Sequence, residues 1–186
     1  MKPGALLLAV LSVALTGCLT SGLPTFADVP PFTLTAQDGR EFRSAESLNG
    51  KIWVADFFFT TCNGPCPRMS AQMKIIQQAT EATPDVQLVS FTVDPAHDTP
   101  DVLAAYAQRF RANPARWHFL TGPPAALQTL SKDVFQLGDI GVKPDHSTRF
   151  LLIDHKGRLR GYYDTSDATT IQQLTEDIAK LRKEAF

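Results

Sequence analysis

Two cysteines separated by three residues carry the most reactive side chains in this sequence. Cys62 and Cys66 enclose Asn63-Gly64-Pro65 and follow an apolar, aromatic run at residues 52–59. Beyond Cys66 the apolar residues take helical spacing, so the pattern predicts a buried strand, a tight turn and a helix that begins near Cys66. Because a helix N-terminus stabilises a thiolate, we expect the pKa of both thiols to be lowered.

A dithiol of this kind can form a disulfide, exchange thiols with a partner or bind a metal. The spacing is one residue longer than the C-x-x-C of ordinary thioredoxin-like redox sites. A purely structural disulfide would stabilise little across so short a loop. Two cysteines are too few for a structural zinc ion, which takes four ligands, whereas soft thiolates together with one imidazole suit copper.

The third copper ligand would have to come from one of four histidines. His155 lies in a predicted turn and is expected to be exposed, and His118 lies within a predicted strand and is expected to be packed or at a sheet edge. His97 follows the second central strand and is an alternative ligand. His146 is favoured, because it directly precedes a predicted strand whose entry loop faces the dithiol in thioredoxin-like folds.

The N-terminal residues have the features of a bacterial export signal. A short basic start precedes an apolar stretch, Ala5 to Leu15, that is too short to span a bilayer core of about 30 Å. The following Leu15-Thr16-Gly17-Cys18 resembles a lipobox, in which Cys18 becomes the lipid-modified first residue of the mature protein. We therefore predict a signal peptide over residues 1–17, a lipid anchor and tether over 18–31, and one domain over 32–186. The domain would lie in the bacterial cell envelope, facing the periplasm or the extracytoplasmic side.

The bulk composition is that of an ordinary globular domain. The chain has 186 residues, of which 44% are hydrophobic and 20% charged, with a net charge of −1. This length is enough for one domain with a sizeable core but hardly for two. Since no basic patch or phosphate-binding motif is present, we expect no nucleic-acid partner.

The order of predicted elements indicates a thioredoxin-like α/β fold with an N-terminal β-hairpin. The hairpin is followed by alternating strands and helices, with one inserted strand–helix segment, and then by a second hairpin and a final helix. The predicted elements are a hairpin at 32–43, strands at 52–59, 86–93, 117–120, 148–154 and 159–163, and helices that start near residues 66, 100, 124 and 171. In open α/β sheets, sites lie beyond the C-terminal ends of strands, where this pattern places Cys62, Cys66 and Asp94. Met69 and Met73 are expected to pack in the core rather than bind metal.

Three motifs in this order resemble the SCO/SenC family of copper-binding assembly proteins. They are Cys62-x3-Cys66-Pro67, Asp94-Pro95-x2-Asp98-x-Pro100 and Asp145-His146. Together they are specific, although each alone would be weak. The resemblance covers the chain from about Phe32 to Leu181 and implies a thioredoxin-like fold.

The resemblance also implies a function and a ligand set. Family members bind Cu(I) or Cu(II) and help to build the dinuclear copper centre in subunit II of cytochrome c oxidase. Carried over, one copper ion per chain would be held by Cys62, Cys66 and His146. Asp94, Asp98 and Asp145 would shape the site, and Asp94 or Asp98 could supply an oxygen near Cu(II). The implied partners are a copper donor protein, a copper-protein recipient and the membrane that holds the lipid.

The sequence leaves an enzyme as the main alternative to a metallochaperone. Asn63-Gly64-Pro65 lacks the acidic residue that family members commonly have before the second cysteine, and Gly64-Pro65 matches the turn of thioredoxin. A thiol–disulfide oxidoreductase that keeps a target's cysteines reduced through Cys62 and Cys66 would need the dithiol but not His146. A peroxidase of the peroxiredoxin type is disfavoured, because the threonine expected three positions before the reactive cysteine is replaced by Phe59 or Asn63.

Overall fold

The computed structural model describes residues 22–137 and 147–184, which form one eight-stranded mixed sheet with helices on both faces. The strands lie in the order β1-β8-β7-β4-β5-β6-β2-β3. Their bounds are β1 Ala27–Asp28, β2 Thr33–Ala36, β3 Glu41–Arg43, β4 Ile52–Phe58, β5 Val86–Thr92, β6 Trp117–Thr121, β7 Arg149–Ile153 and β8 Arg158–Asp164.

Strand β4 is the centre of the sheet, and all seven of its residues are buried. It pairs in parallel with β5, which pairs in parallel with β6, while β7 runs antiparallel to β4 with Trp53 opposite Ile153. A strand covered on both faces is mostly apolar, which explains the hydrophobic run in the sequence, interrupted at Asp56. We call the end of the sheet at which β4 leads into Cys62 the thiol end.

Five α-helices are present in the described parts of the chain. Their bounds are α1 Ser44–Ser47, α2 Cys66–Ala79, α3 Pro100–Arg109, α4 Pro124–Gln128 and α5 Thr170–Glu184. Residues of α2, α3 and α5 pack in the core on the cysteine side of the sheet, together with Met69 and Met73, which are fully buried as predicted. The predicted helix that contains Leu127 and Val134 has two parts. It begins as α4 and continues as a π-helical segment, Thr129–Val134.

This arrangement confirms the predicted thioredoxin-like fold and its N-terminal hairpin. The hairpin strands β2 and β3 pair with each other, and β2 extends the sheet by pairing with β6. Pro67 lies in the first turn of α2, where a missing N–H leaves no hydrogen bond unmade. Thr99 precedes α3 with extended backbone angles, as predicted for an N-cap, and Pro100 begins the helix.

The predicted boundary between tether and domain at residue 32 is wrong. Ala27 and Asp28 form β1 on the edge of β8, and the buried Arg160 side chain donates hydrogen bonds to the carbonyl oxygens of Leu23 and Pro24 at 2.6 and 2.9 Å. The free edge of β8 and the donors of a buried guanidinium both need backbone partners, and this segment supplies them. The folded domain therefore includes the residues from Leu23 onward.

No helix in the two described ranges is long and apolar enough to cross a membrane. The predicted signal peptide and Cys18 lie outside the described residues.

Candidate metal centre at the dithiol

Cys62 and Cys66 lie at the thiol end, as predicted. Cys62 follows β4 in the turn before α2, and Cys66 is the first residue of α2. Both are in the reduced form, with no disulfide between them, and both are buried, with 8% of Cys62 and 0% of Cys66 exposed. The Gly64 N–H donates to Cys62 Sγ at 3.4 Å. A partner or metal ion would therefore approach from the side of Cys62, past the exposed Asn63 and Gly64.

The expected lowering of thiol pKa is wrong for Cys66. Burial raises the pKa of the Cys66 thiol, and its hydrogen bond with Cys62 raises it further, while a backbone hydrogen bond from Phe59 acts in the opposite direction. Desolvation is thus the largest influence on the pKa of this thiol. Cys66 is protonated at neutral pH, so a metal that binds its thiolate must displace a proton.

A buried carboxyl group, that of Asp56, lies in the middle of β4 on the same face as the cysteines. It is 1% exposed, and neither of its oxygens has a hydrogen-bond partner within the described residues. Burial raises the pKa of Asp56 to about 7, and Ser90, its register partner on β5, moderates the rise. When ionised, Asp56 also contributes to the raised pKa of Cys66. In the sequence Asp56 is a single charge within an apolar run, and that position alone indicates no role for it.

Asp98 connects the turn before Cys62 to the loop after β5 through hydrogen bonds. Its fully buried carboxylate accepts hydrogen bonds from the Thr60 N–H at 3.2 Å, from the Thr60 hydroxyl and from the Thr92 hydroxyl. His97 Nδ1 lies 3.2 Å from the same carboxylate. These contacts occupy both carboxylate oxygens of Asp98. Asp98 therefore shapes the site by holding the turn and the loop together. Nothing in the sequence pattern marked Thr60 or Thr92 for this network.

Asp94 contributes to the same loop through its backbone. Its carbonyl oxygen accepts hydrogen bonds from the N–H groups of His97 at 3.1 Å and Asp98 at 2.9 Å, and its own N–H donates to Thr92 Oγ1 at 3.0 Å. The half-buried Asp94 thus belongs to the turn that carries Asp98 toward the cysteines.

Of the four histidines, the structure brings His97 to the cysteine turn. Its Nδ1 lies 3.4 Å from Thr60 Oγ1, and its side chain is 51% exposed. His118 packs in the sheet, where burial lowers its pKa and its Nε2 lies 3.1 Å from Gln87 Oε1. His155 lies in the β7–β8 turn, at the opposite end of the sheet. His146 and Asp145 lie outside the described residues, and the described residues contain no group of three or more His, Cys, Asp or Glu side chains arranged for a metal.

The described residues next to His146 in sequence lie at the thiol end. Since β7 runs antiparallel to β4, the start of β7 lies beside the end of β4. The Thr148 carbonyl accepts from the Thr165 N–H at 2.9 Å, and the Thr165 carbonyl accepts from Arg68 and from Gln72, the latter at 3.0 Å. Thr148 is thereby connected to the first turns of the helix that Cys66 begins.

The donors at this end suit a soft metal. Two thiols lie in an apolar surround that includes Phe58 and the buried Met69, and no carboxylate oxygen of Asp98 is left for a hard cation. Thiolate sulfur favours Cu(I) over ions such as Mg²⁺ or Ca²⁺. The two thiols therefore fit a soft ion such as Cu(I), with one further donor required for a three-coordinate site.

Comparison with known proteins identifies the family of this chain. The SCO1/SenC family profile matches residues 23–183, which includes the dithiol, the Asp94–Asp98 loop and the N-terminal segment that binds Arg160. The chain belongs to the SCO1/SenC family. The matched range begins at Leu23, in agreement with the start of the folded domain.

Individual family members are similar over most of their length. The SCO1 protein homolog of Bacillus subtilis is 33% identical over 83% of each chain. A solved SCO1/SenC family lipoprotein from Bacillus anthracis is 39% identical with a TM-score of 0.76, covering 84% of this chain and 95% of that one. The structure of BsSco, a Sco family member in which a disulfide switch was identified, is 32% identical with a TM-score of 0.74, covering 84% and 94%. These likenesses confirm the family and the fold.

Proposed function

We propose that this protein is a copper metallochaperone of the SCO type. It would receive copper from a donor protein and deliver it to, or help to mature, the dinuclear copper centre in subunit II of cytochrome c oxidase or another copper protein. The observation that carries this proposal is the pair of reduced, buried thiols at the thiol end, directly beside the start of β7.

Relatives support the proposal in two respects. BsSco belongs to a family of cytochrome c oxidase assembly proteins. Sco proteins of Bradyrhizobium japonicum and Arabidopsis thaliana have been solved with copper bound. They share the fold and the family with this chain, and the soft donors here suit the same ion.

We assign one copper ion per chain to Cys62, Cys66 and His146. The position of Thr148 supports the choice of His146, because two residue steps limit the separation of their Cα atoms to about 7.6 Å. Thr148 itself is linked through Thr165 to the first turns of α2. His97 is the competing donor, since it is the histidine that the described residues bring to the cysteine turn.

A comparison of His146→Ala with His97→Ala tests this ligand set. Cu(II) needs nitrogen or oxygen donors in addition to thiolates, whereas two thiolates can still hold Cu(I). Titration of the reduced protein with Cu(II) should show that His146→Ala loses the thiolate-to-Cu(II) charge-transfer absorption, while His97→Ala keeps it. Circular dichroism checks that both variants fold. Loss of the band in His97→Ala alone would transfer the ligand role to His97.

A thiol–disulfide oxidoreductase is the second candidate function. The Gly64-Pro65 turn between two reducible cysteines favours it, because only the thiolate of Cys62 or Cys66 is needed to attack a disulfide. The same variant separates the two functions. If His146→Ala cells recover full cytochrome oxidase activity, copper delivery through this site is wrong and the oxidoreductase function takes its place.

We further propose that Cys18 carries a lipid that anchors the protein to a bacterial membrane, with the domain on the extracytoplasmic side. The lipobox-like sequence Leu15-Thr16-Gly17-Cys18 supports this assignment, and the similar Bacillus anthracis protein is a lipoprotein. The membrane that bears the anchor would then also bear or face the recipient of the copper.

A further inference from the structure

The structure fixes the point at which an anchored chain enters the folded domain. Gly22 lies at the end of α5, because a Cβ built on Gly22 would be 3.3 Å from Glu184 Oε1 and 3.8 Å from Arg160 Nη2. The following residues are bound to the domain through the Arg160 contacts to the Leu23 and Pro24 carbonyls and through the β1 pairing. A lipid on Cys18 would therefore be separated from the domain by residues 19–21 alone.

The length of this tether limits how far the domain can move from the membrane. Four residue steps connect Cys18 to Gly22, and each spans at most about 3.6 Å in any conformation. Gly22 therefore stays within about 14 Å of the lipidated residue. The sequence-based boundary at residue 32 would have allowed a tether several times longer.

The attachment point and the dithiol lie at opposite ends of the molecule. Helix α5 runs between them. Near its start, the Thr165 carbonyl accepts hydrogen bonds from Arg68 and Gln72 of α2. In its last turn, Arg182 binds Asp85, which precedes β5. Fifteen helical residues span about 21 Å along the helix axis. Asp154, which binds Arg160, follows β7 at the end of the sheet opposite to Cys62.

We propose that the lipid bilayer is the partner of the end of the molecule formed by Gly22 and the last turn of α5, so that the dithiol faces away from the membrane. This inference rests on the proposed lipid anchor at Cys18. The short tether holds Gly22 near the bilayer, whereas the dithiol lies beyond the opposite end of α5. The dithiol would then lie farther from the bilayer than Gly22 by about the length of α5, or about 21 Å, and the recipient must present its copper site at that height.

Fluorescent labels at the two ends of α5 test this orientation. A single cysteine is introduced as Lys183→Cys or Ala168→Cys, both exposed, in a lipidated chain whose Cys62 and Cys66 are replaced by serine. The protein is reconstituted in phosphatidylcholine and phosphatidylglycerol vesicles that contain a lipid with a spin-labelled head group. We expect several-fold stronger quenching at position 183 than at position 168.

A length series and a flotation control complete the test. A twelve-residue Gly/Ser insertion after Cys18 adds about 20 Å of flexible reach and should lower the quenching at position 183 to the level at position 168. Equal quenching at both positions, stronger quenching at 168 or no effect of the insertion would overturn the proposed orientation. Flotation with the vesicles, compared with Cys18→Ser, reports the anchor separately, and its absence would overturn the anchor and the orientation together.

Discussion

Cys66 and Asp56 are buried on one face of the sheet, and each holds a proton more firmly than the free side chain does. Burial is the largest cause of the raised pKa in both residues. Deprotonation of Cys66 by an incoming copper ion would place a thiolate near a carboxyl group that titrates at about pH 7.

The Asp56 carboxyl group should make the domain less stable as pH rises. Its pKa is raised from 3.8 to about 7 by burial, so the unfolded chain loses the proton first. The stabilisation by this group is fully present below about pH 4 and is lost as pH rises to about 7 and above. At most about 4 kcal/mol is involved, from about 1.4 kcal/mol for each unit of pKa shift.

Asp56→Asn should remove this pH dependence. Urea unfolding between pH 4 and pH 8 is expected to show that the variant gains stability relative to the natural protein as pH rises. Asp94→Asn is the matched control, because it makes the same change of charge at a half-buried position. Parallel stability curves for Asp56→Asn and the natural protein would contradict the assigned burial of a neutral carboxyl group.

At the scale of single residues, the sequence revealed which side chains could react but not their protonation. The spacing of Cys62 and Cys66 and the position of Pro67 were sufficient to predict the strand, turn and helix. The pKa of Cys66 depends on how completely the rest of the fold covers the thiol, which is a tertiary property. The contacts of Asp98 with Thr60 join positions 38 residues apart, so no local pattern could predict them.

At the scale of elements, long buried strands were predictable and short edge elements were not. Strands β4 and β5 each have seven buried residues, most of them apolar or β-branched, and this composition predicts a buried strand. Strand β1 has two residues and lies among prolines, so its sequence has no periodic pattern. It is stabilised by its pairing with the edge of β8, which is a tertiary contact. The π-helical segment Thr129–Val134 has the same apolar spacing as an α-helix and could not be distinguished in the sequence.

Removal of residues 22–31 should destabilise the domain. A chain that starts at Phe32 loses β1 and leaves the 4%-exposed Arg160 without the Leu23 and Pro24 carbonyls. Unpartnered donors of a buried charged group and an uncovered sheet edge together should cost about 3 kcal/mol of unfolding free energy. Urea unfolding of chains that start at Gly22 and at Phe32 measures the difference. Equal stability of the two chains would show that these residues are only a tether.

At the scale of the whole molecule, the fold separates the chemistry from the attachment point. The thiol end gathers Cys62, Cys66 and the start of β7, whereas the opposite end holds Gly22 and the end of α5. The family and the fold could be predicted from motifs in the sequence. The proposed orientation of the site relative to the membrane depends on where the N-terminal segment joins the domain. The Arg160 contacts fix that point; they join residues 136 and 137 positions apart and are visible only in the folded structure.

Copper binding to the reduced and the disulfide forms of the protein tests the central claim most directly. A disulfide sulfur has no thiolate charge to offer a metal, so oxidation of Cys62 and Cys66 removes two of the three assigned ligands. Equilibrium dialysis followed by elemental analysis should give one copper ion per reduced chain and none per oxidised chain. Copper binding of equal stoichiometry in both forms would show that the dithiol is not the copper site.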